Sequence, residues 1–341
     1  MSPRRSSSLL GPKKGKTMAL QSAGEARTII LTGGTSGIGF AAATAILRDE
    51  YGPWHLVLPV RDAARGRETV ESLASAAASG NTVEAMTMDL SSLESVRTFA
   101  AELTRRVTSE TIPPVHALVC NAGVQMGTNL IHTADGFEST FAINHLGHFV
   151  LVNALLPVLS APARVLVTSS DTHDPALKLG PAPAWSSADA LARGELAVAA
   201  KPDNAFVAGQ RRYSTSKLAN LYFTYALARR LPEGVTANAF NPGMVLGTAL
   251  GRSLPAPVRF ISRHVLPRLT WLLRRVVSPN INSAAESGAA LAWLATAPEL
   301  AGTTGTYFDG RTQARSSEES YDTARAEQLW SGSQELTGTR V

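Results

Sequence analysis

Short, uninterrupted apolar segments alternate with longer helical patterns along most of this 341-residue chain. The predicted strands cover residues 28–31, 55–58, 83–88, 115–120, 164–167, 235–240 and 306–308. The predicted helices between them cover residues 37–49, 63–78, 92–107, 134–159 and 212–231. Strands that are apolar throughout, instead of at every second position, are typical of a parallel sheet covered on both faces. The pattern therefore predicts an α/β fold, a doubly wound parallel sheet of about seven strands with helices on both faces.

The domain organisation follows from what lies between and beyond these segments. No internal repeat and no linker divides residues 27–310, so they are predicted to form one domain. Residues 1–26 are rich in Ser, Lys, Arg and Gly and lack an apolar period, which predicts a disordered basic tail. Residues 311–341 are polar apart from one apolar turn at Leu329 and Trp330. This C-terminal extension is expected to wrap back onto the core.

Charge and composition exclude several classes of protein. The net charge of +5 suggests a partner such as nucleic acid, but residues 1–17 contain five basic residues and no acidic one. The rest of the chain is neutral, so no nucleic acid is expected to bind. Cys120 is the single cysteine, which excludes an intramolecular disulfide and a multi-cysteine metal site. No uninterrupted apolar run approaches the ~20 residues of a spanning helix, so no transmembrane segment is expected.

The basic tail allows three interpretations. A disordered tail on a cytoplasmic protein is the favoured one. An Arg- and Ser-rich, acid-poor start is also typical of an organelle transit peptide, so organelle targeting by residues 1–17 stays open. In the third interpretation Met18 is the true start of the chain.

A glycine-rich turn joins the first predicted strand to the first helix. Its sequence is Thr-Gly-Gly-Thr-Ser-Gly-Ile-Gly over residues 32–39. A diphosphate must approach backbone N–H groups closely at the positive end of a helix, and glycine leaves the space for it. The succession of strand, glycine turn and helix predicts a Rossmann-type dinucleotide site, although the spacing is not G-x-G-x-x-G. The predicted contacts in this turn are Gly33, Thr35, Ser36, Gly37, Ile38 and Gly39.

The end of the second strand indicates which dinucleotide binds. NAD sites place an acidic residue there for the ribose 2′-hydroxyl, whereas NADP sites place an arginine nearby. Val60 stands at the position of the acid and Arg61 follows it, so NADP(H) is favoured over NAD(H). Asp62 complicates the prediction, because it could cap the next helix or partly neutralise Arg61.

Tyr213 and Lys217 lie four residues apart in a helical pattern and therefore share one helix face. An ammonium group beside a phenol lowers the phenol pKa toward neutral pH, so the pair could exchange a proton with a carbonyl or alcohol oxygen. Such pairs are common without any function, and the other motifs decide the matter. Those motifs follow the strands: Asn121-Ala122-Gly123, Ser169-Ser170 and Pro242-Gly243 lie at carboxyl ends, where ligands bind in open α/β sheets.

In order and spacing these motifs resemble the short-chain dehydrogenase/reductase family over residues 27–310. Arg61, the run Asn-His-Leu-Gly-His-Phe at residues 144–149, and Tyr307-Phe308 with Leu329-Trp330 are similar to the branch that contains retinol dehydrogenases and protochlorophyllide reductases. The resemblance implies hydride transfer at nicotinamide C4. It also implies that Tyr213 is the general acid/base.

The resemblance also implies the roles of the neighbouring residues. Lys217 would bind the nicotinamide ribose and lower the tyrosine pKa, and Asn144 would hold a water that links Lys217 to solvent. Ser170, in preference to Ser169, would hydrogen-bond the substrate oxygen. Asp89 would contact the adenine; the alternative for this residue is a helix cap, and Ser91-x-x-Glu94 already forms a capping-box pattern there. The remaining implied cofactor contacts are Leu90, Asn121, Ala122, Gly123, Tyr213, Lys217, Pro242, Gly243, Val245 and, with an unusual spacing, Thr248.

Two insertions are expected on the substrate side, at residues 172–211 and 249–280. Residues 255–277 mix apolar residues with arginines, which is typical of a lid over an apolar pocket and also of a helix resting on a membrane surface. An apolar carbonyl or alcohol is therefore the expected substrate. His145 and His148 have a metal-ligand spacing but no convincing third ligand, so no metal is predicted. A homodimer through the helices at 134–159 and 212–231 is left open.

Three functions compete. The first is an NADP-dependent carbonyl reductase or alcohol dehydrogenase. The second is a reductase of an activated C=C bond, in which the same residues would protonate an enolate. The third is a dinucleotide sensor without catalysis, against which the presence of Asn144, Ser170, Tyr213 and Lys217 argues.

Overall fold

The computed structural model describes residues 25–49, 51–197, 203–245, 275 and 280–340. The strands are β1 (Arg27–Leu31), β2 (Trp54–Val60), β3 (Thr82–Thr87), β4 (Val115–Cys120), β5 (Leu159–Thr168), β6 (Val235–Asn241), β7 (Met244–Val245), β8 (Ile281–Asn282), β9 (Tyr307–Asp309) and β10 (Thr312–Ala314). The helices are α1 (Gly37–Leu47), α2 (Ala63–Ala74), α3 (Leu93–Thr108), α4 (Ser139–Phe141), α5 (Gly147–Leu155), α6 (Ala188–Ala192), α7 (Ala205–Ala228), α8 (Ala284–Thr296) and α9 (Thr323–Thr337).

Eight strands form the central sheet in the order β10-β9-β6-β5-β4-β1-β2-β3. All neighbours are parallel except β10, which runs antiparallel to β9. The predicted doubly wound parallel sheet is thus confirmed, with each predicted strand present. The eighth strand, β10, was not predicted because its exposed sequence Thr-Gln-Ala carries no apolar signal. The strand order reverses between β1 and β4, and a ligand crevice is expected at the carboxyl ends there.

Helices cover both faces of this sheet. Along β1, Ile29 and Leu31 face a core formed with α1 and α8, whereas Ile30 faces a core formed with α3, α5 and α7. Side chains of a strand alternate between the two faces, so a strand covered on both sides must be apolar throughout. This explains the uninterrupted apolar runs of the sequence.

Three helix starts differ from the sequence predictions. The predicted helix 134–159 begins at Ser139, where Glu138 Oε2 accepts a hydrogen bond from the Phe141 backbone N–H at 2.7 Å. The predicted helix 212–231 begins earlier, because Asn204 caps the first turn of α7. Ser91-x-x-Glu94 is not the capping box of α3. Ser92 is the cap, and its hydroxyl accepts from the Ser95 N–H at 3.3 Å.

The C-terminal helix α9 packs on the core formed with α3, α5 and α7. Trp330 stacks on Phe223 of α7 at a centroid distance of 5.9 Å and meets Phe149 edge-on at 5.2 Å. The Arg230 guanidinium lies 4.4 Å from the Trp330 ring centroid. Every α7 residue over 213–227 is buried within this single chain. The length and apolar composition of Ser139–Val158 would permit membrane crossing, but 67% of its most apolar window is buried in the fold.

Within the predicted insertion 172–211, residues 205–211 form the first turns of α7, and the described residues 172–197 lie along this helix. Trp185 meets Tyr222 edge-on at 4.8 Å, and the Ala184 N–H donates to Thr215 Oγ1 at 3.0 Å. Arg211 pairs with Asp203 at 2.6 Å. Of the second insertion, 249–280, only Arg275 and Asn280 belong to the described residues.

Candidate active site

The glycine turn between β1 and α1 has the tight backbone that the sequence suggested. Gly33 adopts φ +72° and Gly37 φ +57°, a region that residues with a Cβ rarely enter. A Cβ on Gly39 would lie 2.2 Å from the Gly33 carbonyl oxygen. Ser36 precedes α1, and its hydroxyl makes no capping hydrogen bond. The turn therefore forms a cradle that a diphosphate fits and a side chain would fill.

Thr32 joins this turn to the end of β4. Its hydroxyl oxygen accepts hydrogen bonds from the backbone N–H groups of Asn121 and Ala122, at 3.0 and 2.9 Å. The Asn121 side-chain amide donates back to the Thr32 carbonyl at 2.9 Å. The motif Asn121-Ala122-Gly123 and the glycine turn are thereby fixed together across the point where the strand order reverses.

His148 extends this connection to Asn144. Its Nδ1 lies 3.2 Å from the Asn144 carbonyl oxygen and its Nε2 lies 3.0 Å from Thr32 Oγ1. A carbonyl can only accept, so Nδ1 carries the proton and the Thr32 hydroxyl donates to Nε2. Burial lowers the pKa of His148 to about 4, which keeps the ring neutral. His148 is thus a structural link, not a metal ligand.

The end of β2 presents Arg61 to solvent. Asp62 accepts hydrogen bonds from the N–H groups of Ala64 and Arg65, at 2.9 and 3.2 Å, and so caps α2. No ion pair joins it to Arg61 within the described ranges. Val60 is buried at the position of the NAD-binding acid. Arg65, one turn into α2, donates to the Thr35 carbonyl of the glycine turn at 3.4 Å, so two arginines flank this corner of the site.

Asp89 and Leu90 follow β3 at the same edge of the sheet. Asp89 Oδ1 accepts from the Ser91 N–H at 2.9 Å and from the Ser91 hydroxyl at 2.8 Å. The Asp89 carboxylate therefore organises the turn before α3. Leu90 is buried, and a Cβ on Gly147 would lie 2.6 Å from its carbonyl oxygen, so α5 begins against this backbone.

Lys217, Asn144 and Gly123 converge in the centre of the crevice. A Cβ on Gly123 would lie 3.4 Å from Lys217 Nζ and 3.4 Å from Asn144 Oδ1. Lys217 is 3% exposed and Asn144 is fully buried. Burial lowers the pKa of Lys217 to about 8. The helix spacing that placed Lys217 near Tyr213 thus also brings it to the carboxyl end of β4.

Asn144 sits in a π-helical turn, Ala142–Leu146, between α4 and α5. Its Oδ1 accepts from the Val124 N–H at 2.8 Å, and its Nδ2 donates to the Val124 carbonyl at 3.0 Å and to Ser216 Oγ at 2.9 Å. The side-chain amide is therefore occupied by protein partners. Single π turns inside helices frequently mark functional sites, and sequence periodicity does not reveal them.

The two serines after β5 have different surroundings. Ser169 is buried, and its hydroxyl donates to the Lys217 carbonyl at 2.9 Å. Ser170 is half-buried, and its hydroxyl lies beside the Tyr213 phenol and lowers the pKa of that group. The geometry therefore brings Ser170, not Ser169, to Tyr213.

Tyr213 is buried beside Lys217, whose Nζ lies 5.5 Å from the centroid of the phenol ring. Burial raises the pKa of Tyr213 to about 12, and the neighbouring Ser170 hydroxyl acts in the opposite direction. The predicted lowering by Lys217 is therefore not found in this structure. Desolvation of the phenolate outweighs the ammonium, which itself bonds a backbone carbonyl.

Pro242, Gly243 and Val245 follow β6 at the same edge. The Pro242 carbonyl accepts from Asn282 Nδ2 at 3.0 Å and from the Ser287 hydroxyl at 2.7 Å. Gly243 adopts φ +71°, and Val245 pairs with Asn282 in the two-stranded sheet of β7 and β8. Thr248 and the predicted lid at residues 255–277 lie outside the described residues, except Arg275.

Comparison with known proteins identifies two matching families. Residues 27–182 match the family described as short chain dehydrogenase, and residues 250–340 match the AcuH dehydrogenase domain. Human retinol dehydrogenase 13 is 35% identical over 315 residues, which cover 92% of this chain and 85% of that protein. The chain belongs to the short-chain dehydrogenase/reductase family. It lies in the retinol dehydrogenase-like branch and is an oxidoreductase by family.

One further sequence relative and two solved structures are similar to this short-chain dehydrogenase/reductase. The WW domain-containing oxidoreductase of Danio rerio is 36% identical over 320 residues, covering 92% of this chain and 69% of that protein. A solved protein from Mycobacterium Paratuberculosis aligns with TM-score 0.61 and 26% identity over 92% of this chain and 94% of its own. A Burkholderia cenocepacia short chain dehydrogenase in complex with NADP aligns with TM-score 0.57 and 23% identity over 83% and 94%, respectively.

The sequence assigned no functional role to His148 or His173. In this family member each joins two motifs of the site: His148 links Thr32 to Asn144, and His173 contacts the Ser170 carbonyl. The spacing of four between Asn144 and His148 was the available signal for the first. No local signal existed for the second, because its other partner is 144 positions away.

Proposed function

We propose that this protein is an NADP(H)-dependent oxidoreductase that interconverts an apolar carbonyl compound and its alcohol, with Tyr213 as the general acid/base. The observation that carries the proposal is the convergence of Tyr213 with Ser170, Lys217 and Asn144 beside the glycine turn. When bound, the nicotinamide supplies or accepts the hydride at C4. The protein's own residues then handle the proton.

The preference for NADP(H) rests on the corner formed by β2 and α2. The Asp62 carboxylate is engaged in capping α2, so it leaves the positive charge of Arg61 available for a 2′-phosphate. The glycine turn would hold the diphosphate, and Asp89 with Leu90 lies at the edge proposed for the adenine. Residues 242–245 would contact the nicotinamide end.

Proton transfer would proceed through Tyr213. A phenol whose pKa is about 12 holds its proton at neutral pH and can donate it to a carbonyl oxygen as the adjacent carbon gains hydride. Ser170 would donate a hydrogen bond to the same oxygen. The Lys217 ammonium would stabilise the phenolate that forms. The water relay between Lys217 and solvent that the family resemblance implies for Asn144 stays part of this proposal, although the Asn144 side-chain amide already bonds Val124 and Ser216.

The proposed partners are small molecules. The apolar composition of the two insertions supports an apolar substrate, and contact of residues 255–277 with a membrane surface stays a secondary proposal. A homodimer through α7 would have to use its first turns, because residues 213–227 are buried within the chain. We propose a cytoplasmic location, with organelle targeting by residues 1–17 as the alternative.

Titration with NADPH and NADH, followed by nicotinamide fluorescence, tests the cofactor. Apolar aldehydes, ketones and enones then test the reaction through the absorbance of NADPH. We expect tighter binding of NADPH and its oxidation with aldehydes or ketones. If NADPH were consumed only with enones, the proposed reaction would be C=C reduction and not carbonyl reduction. Tight binding without turnover of any of these compounds would favour the dinucleotide sensor and contradict the proposal.

Tyr213→Phe is the matched variant for the chemical step. The change removes only the hydroxyl, so we expect turnover to fall by a factor of about 10² to 10⁴ while the dissociation constant of NADPH stays within about twofold. Full turnover in this variant would show that the proton comes from another group.

A further inference from the structure

His173 lies directly behind Ser170 and uses both ring nitrogens. Its Nδ1 is 2.5 Å from the Ser170 carbonyl oxygen, and its Nε2 is 3.0 Å from the backbone nitrogen of Ser317. A peptide N–H can only donate and a peptide carbonyl can only accept, so Nε2 accepts and Nδ1 carries the proton. The ring is therefore neutral and held in one tautomer. Burial lowers its pKa, in agreement with this assignment.

The Ser170 carbonyl is held from two directions. Besides the ring, the backbone N–H of His173 donates to the same oxygen at 3.1 Å, as part of a short 3₁₀ turn at Asp171–His173. The Ser170 hydroxyl accepts from the Thr172 N–H at 3.3 Å within that turn. The backbone orientation of Ser170, and so the direction of its hydroxyl, depends on this turn. His173 fixes the turn from its far side.

The partner of His173 belongs to a compact turn at residues 316–320, here named the serine turn. Ser316 Oγ lies 2.6 Å from the Tyr225 hydroxyl and 2.6 Å from Ser320 Oγ. The Tyr222 hydroxyl donates to the Glu319 carbonyl at 3.1 Å. The serine turn is therefore anchored on α7, the helix that also carries Tyr213 and Lys217.

These contacts close a loop of interactions around the active site. It runs from Ser170 through His173 to the serine turn, and from there through the two tyrosines of α7 back to Tyr213. We propose that His173 is a positioning residue for Ser170, and that the serine turn of the C-terminal extension is the support that holds His173 in place. The inference rests on the proposed function only in assigning Ser170 a role in turnover.

The proposal assigns His173 no contact with substrate or cofactor, because both ring nitrogens are engaged by backbone groups. The Tyr307 ring packs against it at 5.4 Å and restricts its tilt. Loss of the bond to Ser317 would let the ring rotate and release the Ser170 carbonyl. A small displacement of a group that contacts the reacting atoms lowers the rate far more than it lowers stability.

A pair of variants at Ser317 isolates the single hydrogen bond. Ser317→Pro removes the N–H donor, and the native φ of −56° suits proline. Ser317→Ala removes the hydroxyl but keeps the N–H, so it is the matched control. We expect Ser317→Pro to lower kcat about 10-fold or more with an NADPH dissociation constant within about twofold, and Ser317→Ala to retain kcat. Equal kcat in the two variants would overturn the proposal.

A double-mutant cycle separates positioning of Ser170 from general support of the fold. His173→Phe keeps an aromatic ring and removes both bonds, and it is made with and without Ser170→Ala. We expect it to lower kcat 10-fold or more in the wild type and to have no further effect when the Ser170 hydroxyl is absent. Equal losses in both backgrounds would assign His173 a merely structural role. If Ser170→Ala alone left turnover intact, the role assigned to Ser170 in the proposed function would fail, and the role of His173 in turnover would fail with it.

Discussion

Lys217 Nζ donates a hydrogen bond to the backbone carbonyl of Thr168 over 3.0 Å, so the ammonium of α7 is attached to the last residue of β5. Asn220 Nδ2 reaches the same oxygen at 3.0 Å. The Thr168 carbonyl thus orients two side chains of α7, Lys217 and Asn220. This contact explains why Lys217 keeps its position although burial disfavours its charge.

Activity should decline in alkaline solution because Lys217 loses its proton. Its pKa of about 8 lies below the usual value, so the ammonium is present below pH 8 and is lost as pH rises through that value. Tyr213 stays protonated over the same range. We expect kcat/KM for carbonyl reduction to fall above about pH 8. NMR titration of ¹⁵N-labelled lysine, assigned with Lys217→Met, should show the same midpoint, and a midpoint near 10.5 would contradict this prediction.

Ser169 and Ser170 should respond differently to the same change. Ser170→Ala removes the hydroxyl beside the Tyr213 phenol, and we expect kcat to fall about 10²-fold. Ser169→Ala removes the bond to the Lys217 carbonyl, so we expect a loss of about 1 kcal/mol in the free energy of unfolding and a smaller change in kcat. Steady-state kinetics and urea unfolding of both variants measure the loss of kcat and the loss of stability separately. The reverse order of rates would make Ser169 the substrate-facing residue.

Arg61 should determine the choice of dinucleotide. Arg61→Ala removes the charge proposed to pair with the 2′-phosphate, so we expect NADPH to bind about 10- to 100-fold more weakly and NADH to bind as before. Arg67→Ala is the matched control, because Arg67 is an exposed arginine in α2, the helix that follows Arg61. Fluorescence titrations of both variants with both dinucleotides give the result. Parallel losses for NADPH and NADH would remove Arg61 from the 2′-phosphate site.

Stability should depend on pH through Asp171. Asn241 Nδ2 at 2.5 Å and Asn280 Nδ2 at 2.7 Å donate to its carboxylate, but burial and the neighbouring Asp309 raise its pKa to about 6. The folded protein therefore binds this proton more tightly than the unfolded chain does. The contribution of Asp171 to stability is full below the unfolded pKa of about 3.9 and is lost as pH rises through 6.

Asp171→Asn tests this dependence. The variant has no titrating group at this position. The free energy of unfolding of the variant minus that of the wild type should therefore increase from pH 5 to pH 7.5. Urea unfolding of both proteins across this range measures the difference. A difference that does not change with pH would mean that the Asp171 pKa is ordinary.

Regular elements were predictable because their signals are local. The parallel strands follow from continuous apolar runs, and the glycine turn follows from the eight consecutive residues 32–39. Helix starts were less predictable: Glu138 and Asn204 act as caps although the apolar period begins elsewhere. The π turn around Asn144 leaves no trace in the periodicity, since it adds one residue to a helix that is buried on all sides.

By itself, the sequence determined the sheet, the family and the residues that meet at the carboxyl edge of the strands. Only the tertiary structure decided that Ser170 faces Tyr213, that Asp62 caps α2, and that the Tyr213 pKa is raised by burial. The reason is physical. Backbone conformation follows from neighbours a few positions apart, but the orientation and pKa of a buried side chain depend on desolvation and on partners such as Ser317, far along the chain from the histidine it holds.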